Sequence, residues 1–103
     1  MPELIEIANA SELAVGRVKA VTVEGRTIAL HHTASGFYAT DNLCPHRGGP
    51  LSEGDLIGEE ITCPWHLWSF DVRDGRCPGN PEITVATHEL HVEGERILVR
   101  LSS

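Results

Sequence analysis

Two short cysteine–histidine segments constrain this chain more than any other feature of its sequence. The first, Cys44-Pro45-His46, has a Cys-x-His spacing, and the second runs from Cys63 to His66 as Cys-x-x-His. Sixteen residues separate His46 from Cys63. Each half offers one thiolate and one imidazole, so together the two halves supply four ligands for a metal centre.

The types of donor narrow the choice of metal without deciding it. Thiolate and neutral imidazole are soft and borderline donors, which suit zinc, iron in a sulfur cluster, or copper. A structural zinc site usually draws paired ligands of one type from a short hairpin. This chain mixes the two types in each half, which disfavours a zinc hairpin.

The charge of the chain limits its partners. Its 103 residues include 15 Asp and Glu against 8 Lys and Arg, a net charge of −7 at pH 7 with His neutral. Without a basic stripe to neutralise phosphates, nucleic acid and anionic membrane surfaces are excluded as partners. A basic protein surface is favoured instead. The length is typical of one domain, so we expect residues 1–103 to form a single unit.

The sequence favours a cytoplasmic protein. It has no run of about twenty apolar residues that would span a membrane. Residues 1–6 contain acids and no basic segment, unlike a secretory signal. Three cysteines do not make a complete disulfide set, and two of them are candidate metal ligands.

The pattern of β-branched residues predicts an all-β fold. Strands are expected from Arg17 to Val23 and from Arg26 to His32, joined by Glu24-Gly25 as a two-residue hairpin. No segment keeps an apolar period of about 3.6 residues beyond one turn. The candidate ligands therefore lie in loops, at about 43–51 and 62–69, of a small metal-binding lobe inserted into the sheets.

Two further strand predictions concern the C-terminal third. Asp74-Gly75 is the strongest hairpin signal, because a type I′ turn needs positive φ at both central positions. The last two strands are expected from Ile83 to Val92 and from Glu95 to Leu101, joined by Glu93-Gly94.

The two loops resemble those of the Rieske iron–sulfur family, which has the same Cys-x-His and Cys-x-x-His spacings. The flanking Gly48-Gly49 and Pro64-Trp65 also match the family. The resemblance implies one [2Fe-2S] cluster per chain, in which two histidines replace two cysteines on one iron. It also implies a base of antiparallel sheets, arranged like a sandwich, with the cluster at the tip of the two loops.

The resemblance assigns a role to each ligand. Cys44 and Cys63 would hold the inner iron, and His46 and His66 the outer iron. Neutral imidazoles donate less negative charge than thiolates, so the outer iron is the easier one to reduce. An apolar shell would limit water at the inner iron, and its expected members are Leu43, Leu51, Trp65, Leu67 and Trp68.

Several absences favour a low-potential, soluble ferredoxin. Rieske proteins of the bc complexes carry an extra cysteine in each ligand loop, where this chain has Gly49 and Trp65. They also carry a serine and a tyrosine hydroxyl that raise the potential, where this chain has Trp68 and Phe70. Neither of these side chains supplies the same hydroxyl.

The expected function is that of an electron carrier, not an enzyme by itself. The chain offers no triad or nucleotide loop, and the resemblance implies transfer from a flavin-containing reductase to a terminal oxygenase. We expect a monomer. Two alternatives stay open: a small Rieske-like subunit of an assimilatory nitrite reductase, and a zinc-bound structural module.

The remaining cysteine and histidines are expected to have ordinary roles. Cys77 has no partner in the sequence, which predicts a free, partly buried thiol. His31 and His32 are neighbours on one strand and point to opposite faces, so they cannot form one site. His88 and His91 also diverge. The segment Pro78-Gly79-Asn80-Pro81 resembles the loop that covers the cluster in the family.

Overall fold

Antiparallel strands make up nearly all of the regular structure, as the sequence predicts. The computed structural model describes residues 4–43, 49–64 and 68–101, without the side chain of Pro81. Within these ranges no helix is long and apolar enough to span a bilayer. The strands are β1 (Ile5–Asn9), β2 (Arg17–Val23), β3 (Arg26–Thr33), β4 (Gly36–Asp41), β5 (Asp55–Ile57), β6 (Glu60–Thr62), β7 (Ser69–Asp71), β8 (Arg76–Cys77), β9 (Asn80–Thr84), β10 (Thr87–Glu93) and β11 (Arg96–Arg100).

A six-stranded sheet, here called the large sheet, forms the base of the molecule in the order β1-β11-β10-β4-β3-β2. Ile7 of β1 and Val21 of β2 stand at opposite ends of this order, yet both pack on the apolar clusters that contain Ile28, Leu30 and Ile97. The sheet therefore curls over its own core. Because side chains alternate along a strand, the other face of β3 is left for a second layer.

That second layer is a lobe, residues 42–85, inserted between β4 and β10. It contains the sheet β5-β6-β7, the pair β8-β9 and a short 3₁₀ turn, Leu51–Glu53. The lobe packs on Ala29 of the large sheet through a fully buried cluster that includes Leu51, Ile61 and Phe70. The predicted insertion is confirmed. β5 has no counterpart among the predicted strands, because only three residues separate Gly54 from Gly58.

Of the three predicted hairpins, one is confirmed, one is wrong, and one is shifted by a residue: Glu93 pairs with Arg96, so β10 and β11 are joined by Gly94-Glu95 instead of Glu93-Gly94. Glu24 and Gly25 both have positive φ, 50° and 82°, as a type I′ turn between β2 and β3 requires. At Asp74-Gly75 only Gly75 has positive φ, 80°. Its N–H donates to the Asp71 carbonyl at 2.7 Å, which makes a longer turn. A Cβ on Gly75 would lie 2.1 Å from the Val85 carbonyl oxygen, so close approach of the backbone selects this glycine.

The strand predicted from Ile83 to Val92 is also wrong, because the chain changes sheets within it. Val85 donates its N–H to the Gly75 carbonyl in the lobe at 2.8 Å. The carbonyl of the following residue, Ala86, accepts a hydrogen bond from the N–H of Asp41 in the large sheet at 2.9 Å. β9 therefore ends at Thr84, and β10 begins at Thr87. β-Propensity runs through both segments and does not mark this crossing.

His31 is buried between the large sheet and the lobe. Its Nε2 lies 2.9 Å from the Thr40 hydroxyl oxygen, and its Nδ1 is buried without a hydrogen-bond partner among the described residues. Burial lowers the pKa of His31 from 6.5 to about 3. The other predictions for histidines hold: His32 lies against the Leu13 carbonyl, His88 against Asp41 and His91 against Glu89.

This burial predicts a loss of stability in acid. Below pH 6.5 the unfolded chain protonates His31 while the folded chain does not, so the free energy of unfolding falls as pH is lowered from about 6.5 towards 3. One such group contributes at most about 1.4 kcal/mol per pH unit. Replacing His31→Gln keeps a hydrogen-bonding group for Thr40 and removes this titration. Urea unfolding of the cluster-loaded protein at several pH values should give a flatter profile for the variant, and equal slopes would contradict the assignment.

Candidate metal centre

Of the four predicted ligands, Cys63 is the one that the structure describes. It follows β6 directly, it has no accessible surface, and its thiol is free of disulfide bonds. Cys44, His46 and His66 lie outside the described residues. Among the residues that are described, no group of three or more His, Cys, Asp or Glu side chains is placed to hold a metal ion.

The second ligand loop is closed at its base by a backbone hydrogen bond. The N–H of Cys63 donates to the Trp68 carbonyl at 2.7 Å. One residue further in, Thr62 pairs with Ser69 in the β6–β7 ladder, and their hydroxyl oxygens are 3.0 Å apart. Cys63 thus stands at the point where the hairpin opens into the loop, as its predicted role requires.

The first ligand loop is closed by Asn42, which is 7% exposed. Its backbone carbonyl accepts the N–H of Leu51 at 2.6 Å, and its side-chain Oδ1 accepts the N–H of Ser52 at 2.9 Å. An isolated bridge between Leu43 and Pro50 adds to this closure. The two ends of the loop are therefore fixed to each other on the lobe.

The bases of the two loops are packed together. Leu51, at the end of the first loop, and Cys63, at the start of the second, belong to the same buried cluster. Between them, Gly54 approaches the backbone of β6 so closely that a Cβ would lie 1.9 Å from the Thr62 carbonyl oxygen. No other residue type fits there without displacing backbone. This contact brings the end of the first loop next to the strand that leads into Cys63.

The predicted apolar shell is only partly as expected. Leu51 is fully buried, and Trp68 is partly buried against the same cluster. Leu43 is 60% exposed, so its inclusion in the shell is wrong. Leu43 points to solvent because the side chain of its neighbour, Asn42, points inward. Trp65 and Leu67 lie outside the described residues.

The expectations for Phe70 and Cys77 fit the structure. Phe70 is fully buried and apolar, so it presents no hydroxyl. Cys77 is free and half-buried, and its thiol packs at the edge of the cluster that contains Cys63. A shallow cavity of about 440 Å³ is lined by Trp68, Cys77 and the 78–80 turn. That turn therefore lies beside the exit of the second ligand loop.

A polar network joins the lobe to the large sheet on its surface. Ser35 Oγ donates to Glu59 Oε2 at 3.0 Å and lies 2.9 Å from the Tyr38 hydroxyl oxygen. Nearby, the guanidinium of Arg73 hydrogen-bonds Asp71 and lowers the pKa of that carboxyl group. Asp71 is thus held ionised on the strand that leaves the second loop.

The described residues fit an iron–sulfur cluster. A free cysteine without accessible surface, set among apolar side chains, is a soft donor shielded from water. It packs with Leu51 at the base of the first ligand loop, whose sequence contains Cys44 and His46. The donor set that the two loops contain is the one that holds a cluster with two cysteine and two histidine ligands.

Comparison with known proteins decides the family. The Rieske [2Fe-2S] domain family matches residues 3–91. The chain belongs to this family. It is 42% identical over 92 residues to the ferredoxin component of the naphthalene 1,2-dioxygenase system of Pseudomonas aeruginosa, covering 88% of each chain. The solved ferredoxin of carbazole 1,9a-dioxygenase from Nocardioides aromaticivorans IC177 is 31% identical, with a TM-score of 0.87 and coverage of 96% of this chain and 98% of that one.

A further structural likeness concerns the nitrite reductase alternative. The putative NADH-dependent nitrite reductase small subunit from Mycobacterium tuberculosis superposes with a TM-score of 0.90, covering 100% of this chain and 98% of that one. The identity is 22%, so this likeness shows the fold alone. The Rieske family match and the shared fold agree with the predicted sheets and inserted lobe.

Two residues that position the loops, Asn42 and Gly54, were not predicted from the sequence. Asn42 lies in no motif, and its role depends on contacts with residues nine and ten positions later. Gly54 has an ordinary extended conformation and is selected by the nearness of Thr62. The one signal in the sequence was that Gly54, between Glu53 and Asp55, does not lie in a predicted turn.

We predict that Asn42→Ala destabilises the first ligand loop, because the part-buried N–H of Ser52 loses its acceptor, at a cost of about 1 kcal/mol. The variant should release its cluster faster at raised temperature, as followed by loss of visible absorption. Asn42→Asp keeps an oxygen acceptor at the same place and is the matched control. Equal loss rates for Asn42→Ala and the unmodified protein would show that this closure does not hold the loop.

Proposed function

We propose that this Rieske protein carries single electrons from a flavin-containing reductase to a terminal oxygenase. The observation that supports this most directly is its 42% identity, over 88% of both chains, to a ferredoxin component of a naphthalene 1,2-dioxygenase system. The acidic charge of the chain suits brief association with partners through complementary surfaces. In such a system the chain is a carrier and the oxygenase is the catalyst.

The proposed ligands are Cys44 and Cys63 for the inner iron and His46 and His66 for the outer iron. The burial of Cys63 supports the inner position, because a thiolate ligand there is kept from water. The cluster, when bound, supplies a one-electron couple. The protein's own contribution is to hold the bases of the two loops together, through the Asn42 closure and the Gly54 contact.

Several finer points belong to the same proposal. One cluster is bound per chain, residues 1–103 act as one domain, and the protein is a cytoplasmic monomer. The reduction potential lies at the low end of the Rieske range, because buried Phe70 and apolar Trp68 offer no hydroxyl to the cluster. A shuttle of this kind meets its two partners in turn.

Substitutions of the ligands test the proposed set. His46→Cys or His66→Cys should shift the visible and EPR spectra towards a four-cysteine type and lower the potential, because an anionic donor replaces a neutral one. Cys63→Ala should prevent stable assembly. Cys77→Ser is the control, and it should keep the spectrum unchanged. Loss of the cluster in that control, or a colourless zinc protein from the unmodified chain, would contradict the assignment.

Reconstitution tests the function. The cluster-loaded chain is added in place of the native ferredoxin to the reductase and oxygenase of a naphthalene dioxygenase system, with NADH and naphthalene. We expect the chain to restore product formation, whereas the Cys63→Ala chain should not. Failure of the chain to accept electrons from the reductase, together with stimulation of NADH-dependent nitrite reduction by a nitrite reductase large subunit, would favour the alternative function.

A further inference from the structure

Asp41, the last residue of β4, is bonded to both neighbouring strands at the point where the chain leaves the large sheet. Its carboxylate Oδ1 lies 2.8 Å from Nε2 of His88 on β10 and 3.3 Å from a terminal guanidinium nitrogen of Arg26 on β3. A carboxylate only accepts hydrogen bonds, so both nitrogens donate to it. One oxygen atom therefore joins three strands that are neighbours in the sheet, in the order β10-β4-β3.

The His88 side chain is the buried member of this group, with no accessible surface. His88 pairs in register with Ala39, and Asp41 lies two residues further along β4, so all three side chains are on one face of the sheet. Ala39 belongs to a buried apolar cluster on that face. The imidazole is thus shielded from water, which makes its hydrogen bond to the carboxylate stronger than one on the open surface.

The backbone of Asp41 is also bonded on the opposite face of the sheet, beneath the lobe. The Thr40 hydroxyl donates to the Asp41 carbonyl at 2.9 Å. A hydroxyl has a single hydrogen, so in the 2.9 Å contact between Thr40 Oγ1 and His31 Nε2 the imidazole is the donor. Thr40 and His31 have no accessible surface. A chain of two buried hydrogen bonds therefore runs from His31 to the Asp41 backbone.

These hydrogen bonds meet at the root of the first ligand loop. The N–H of Asp41 donates to the Ala86 carbonyl at 2.9 Å, so the strand that enters the lobe is bonded to the segment that leaves it. Asn42 follows Asp41 directly, and Cys44 is the third residue after it. The Asn42 hydrogen bonds close the loop on itself, whereas those of Asp41 fix the root of the loop to the large sheet.

We propose that Thr40, Asp41 and His88 are positioning residues for the first ligand loop. They hold the end of β4 from both faces of the sheet, so that the chain leaves the sheet in one direction and few positions are open to Cys44. They act through the backbone and are not ligands themselves. This inference rests on the proposed role of Cys44 and adds which residues outside both ligand loops maintain it.

Two pairs of variants and a matched control test the proposal. Thr40→Val removes the hydroxyl that bonds the Asp41 carbonyl, and Thr40→Ser keeps it. His88→Leu removes the donor to the Asp41 carboxylate, and His88→Gln keeps a side-chain N–H. The control is Thr33→Val, because Thr33 is also buried and its hydroxyl donates to the Gly36 carbonyl at 3.3 Å. Thr33 lies at the opposite end of β3 and β4, away from the first ligand loop.

Two rates are measured on the cluster-loaded protein, together with urea unfolding. They are the rate of hydrogen exchange in peptides that cover residues 42–52, and the rate of cluster loss at raised temperature. We expect Thr40→Val and His88→Leu to increase both rates about fivefold, the factor that corresponds to one lost hydrogen bond. Thr40→Ser and His88→Gln should return both rates towards those of the unmodified protein. Thr33→Val should weaken resistance to urea but change both rates by less than about twofold, because its effect is distant from the loop.

Two results would overturn the proposal. Equal effects of Thr33→Val and Thr40→Val on the two rates would show a general contribution to stability instead of positioning. Unchanged exchange in residues 42–52 in both Thr40→Val and His88→Leu would show that the loop root is held without these bonds. If His88→Leu does not fold, the comparison of Thr40→Val with Thr40→Ser decides alone. Assembly of the same cluster by a Cys44→Ala chain would refute the proposed ligand set, while the exchange rates would still decide whether these residues hold the loop.

Discussion

The approach of Gly54 to the Thr62 carbonyl is the contact on which the proposed metal centre depends. Two ligand loops that are distant in sequence can share one cluster only if their bases are fixed to each other. Backbone against backbone fixes them more firmly than two side chains would, because no rotamer can change in between. Leu51 and Cys63 then fill the space behind the contact. The Asn42 and Cys63 hydrogen bonds close each loop separately, and Gly54 joins the two closures.

Much of the fold and the family could be predicted from the sequence, because both follow from short-range patterns. The type I′ turn at Glu24-Gly25 and the strands beside it depend on φ preference and alternation, which neighbouring residues determine. The Cys-x-His and Cys-x-x-His spacings, which indicate the family, are also short-range patterns. The assignment of all four ligands stays a prediction: Cys63 is fully buried, and Cys44, His46 and His66 lie outside the described residues.

The features that could not be predicted are set by partners distant in sequence. The chain changes sheets at Val85 and Ala86 because the N–H of Val85 bonds to Gly75 in the lobe and the carbonyl of Ala86 bonds to Asp41 in the large sheet, and no local signal marks this. Leu43 is apolar in the sequence but exposed in the structure, since Asn42 takes the inward position. Nothing in the sequence distinguishes His31 from its neighbour His32. In the structure His31 is fully buried and lies within hydrogen-bond distance of Thr40, whereas His32 stacks on Phe37 with ring centroids 3.8 Å apart.

The hydrogen bond from Asp41 to Ala86 has a consequence for how such proteins diversify. The residues on either side of the lobe, 41 and 86, are bonded to each other at 2.9 Å, and β4 and β10 pair immediately beyond them. The ladder of the large sheet therefore continues across the insertion as if the intervening residues were a single long loop. An inserted segment whose ends are adjacent can be lengthened, shortened or placed in another sheet without altering the strand order of that sheet. Such an insertion requires that the receiving sheet present apolar side chains on the face that the segment covers, as the large sheet does here with Ala29 and Val18.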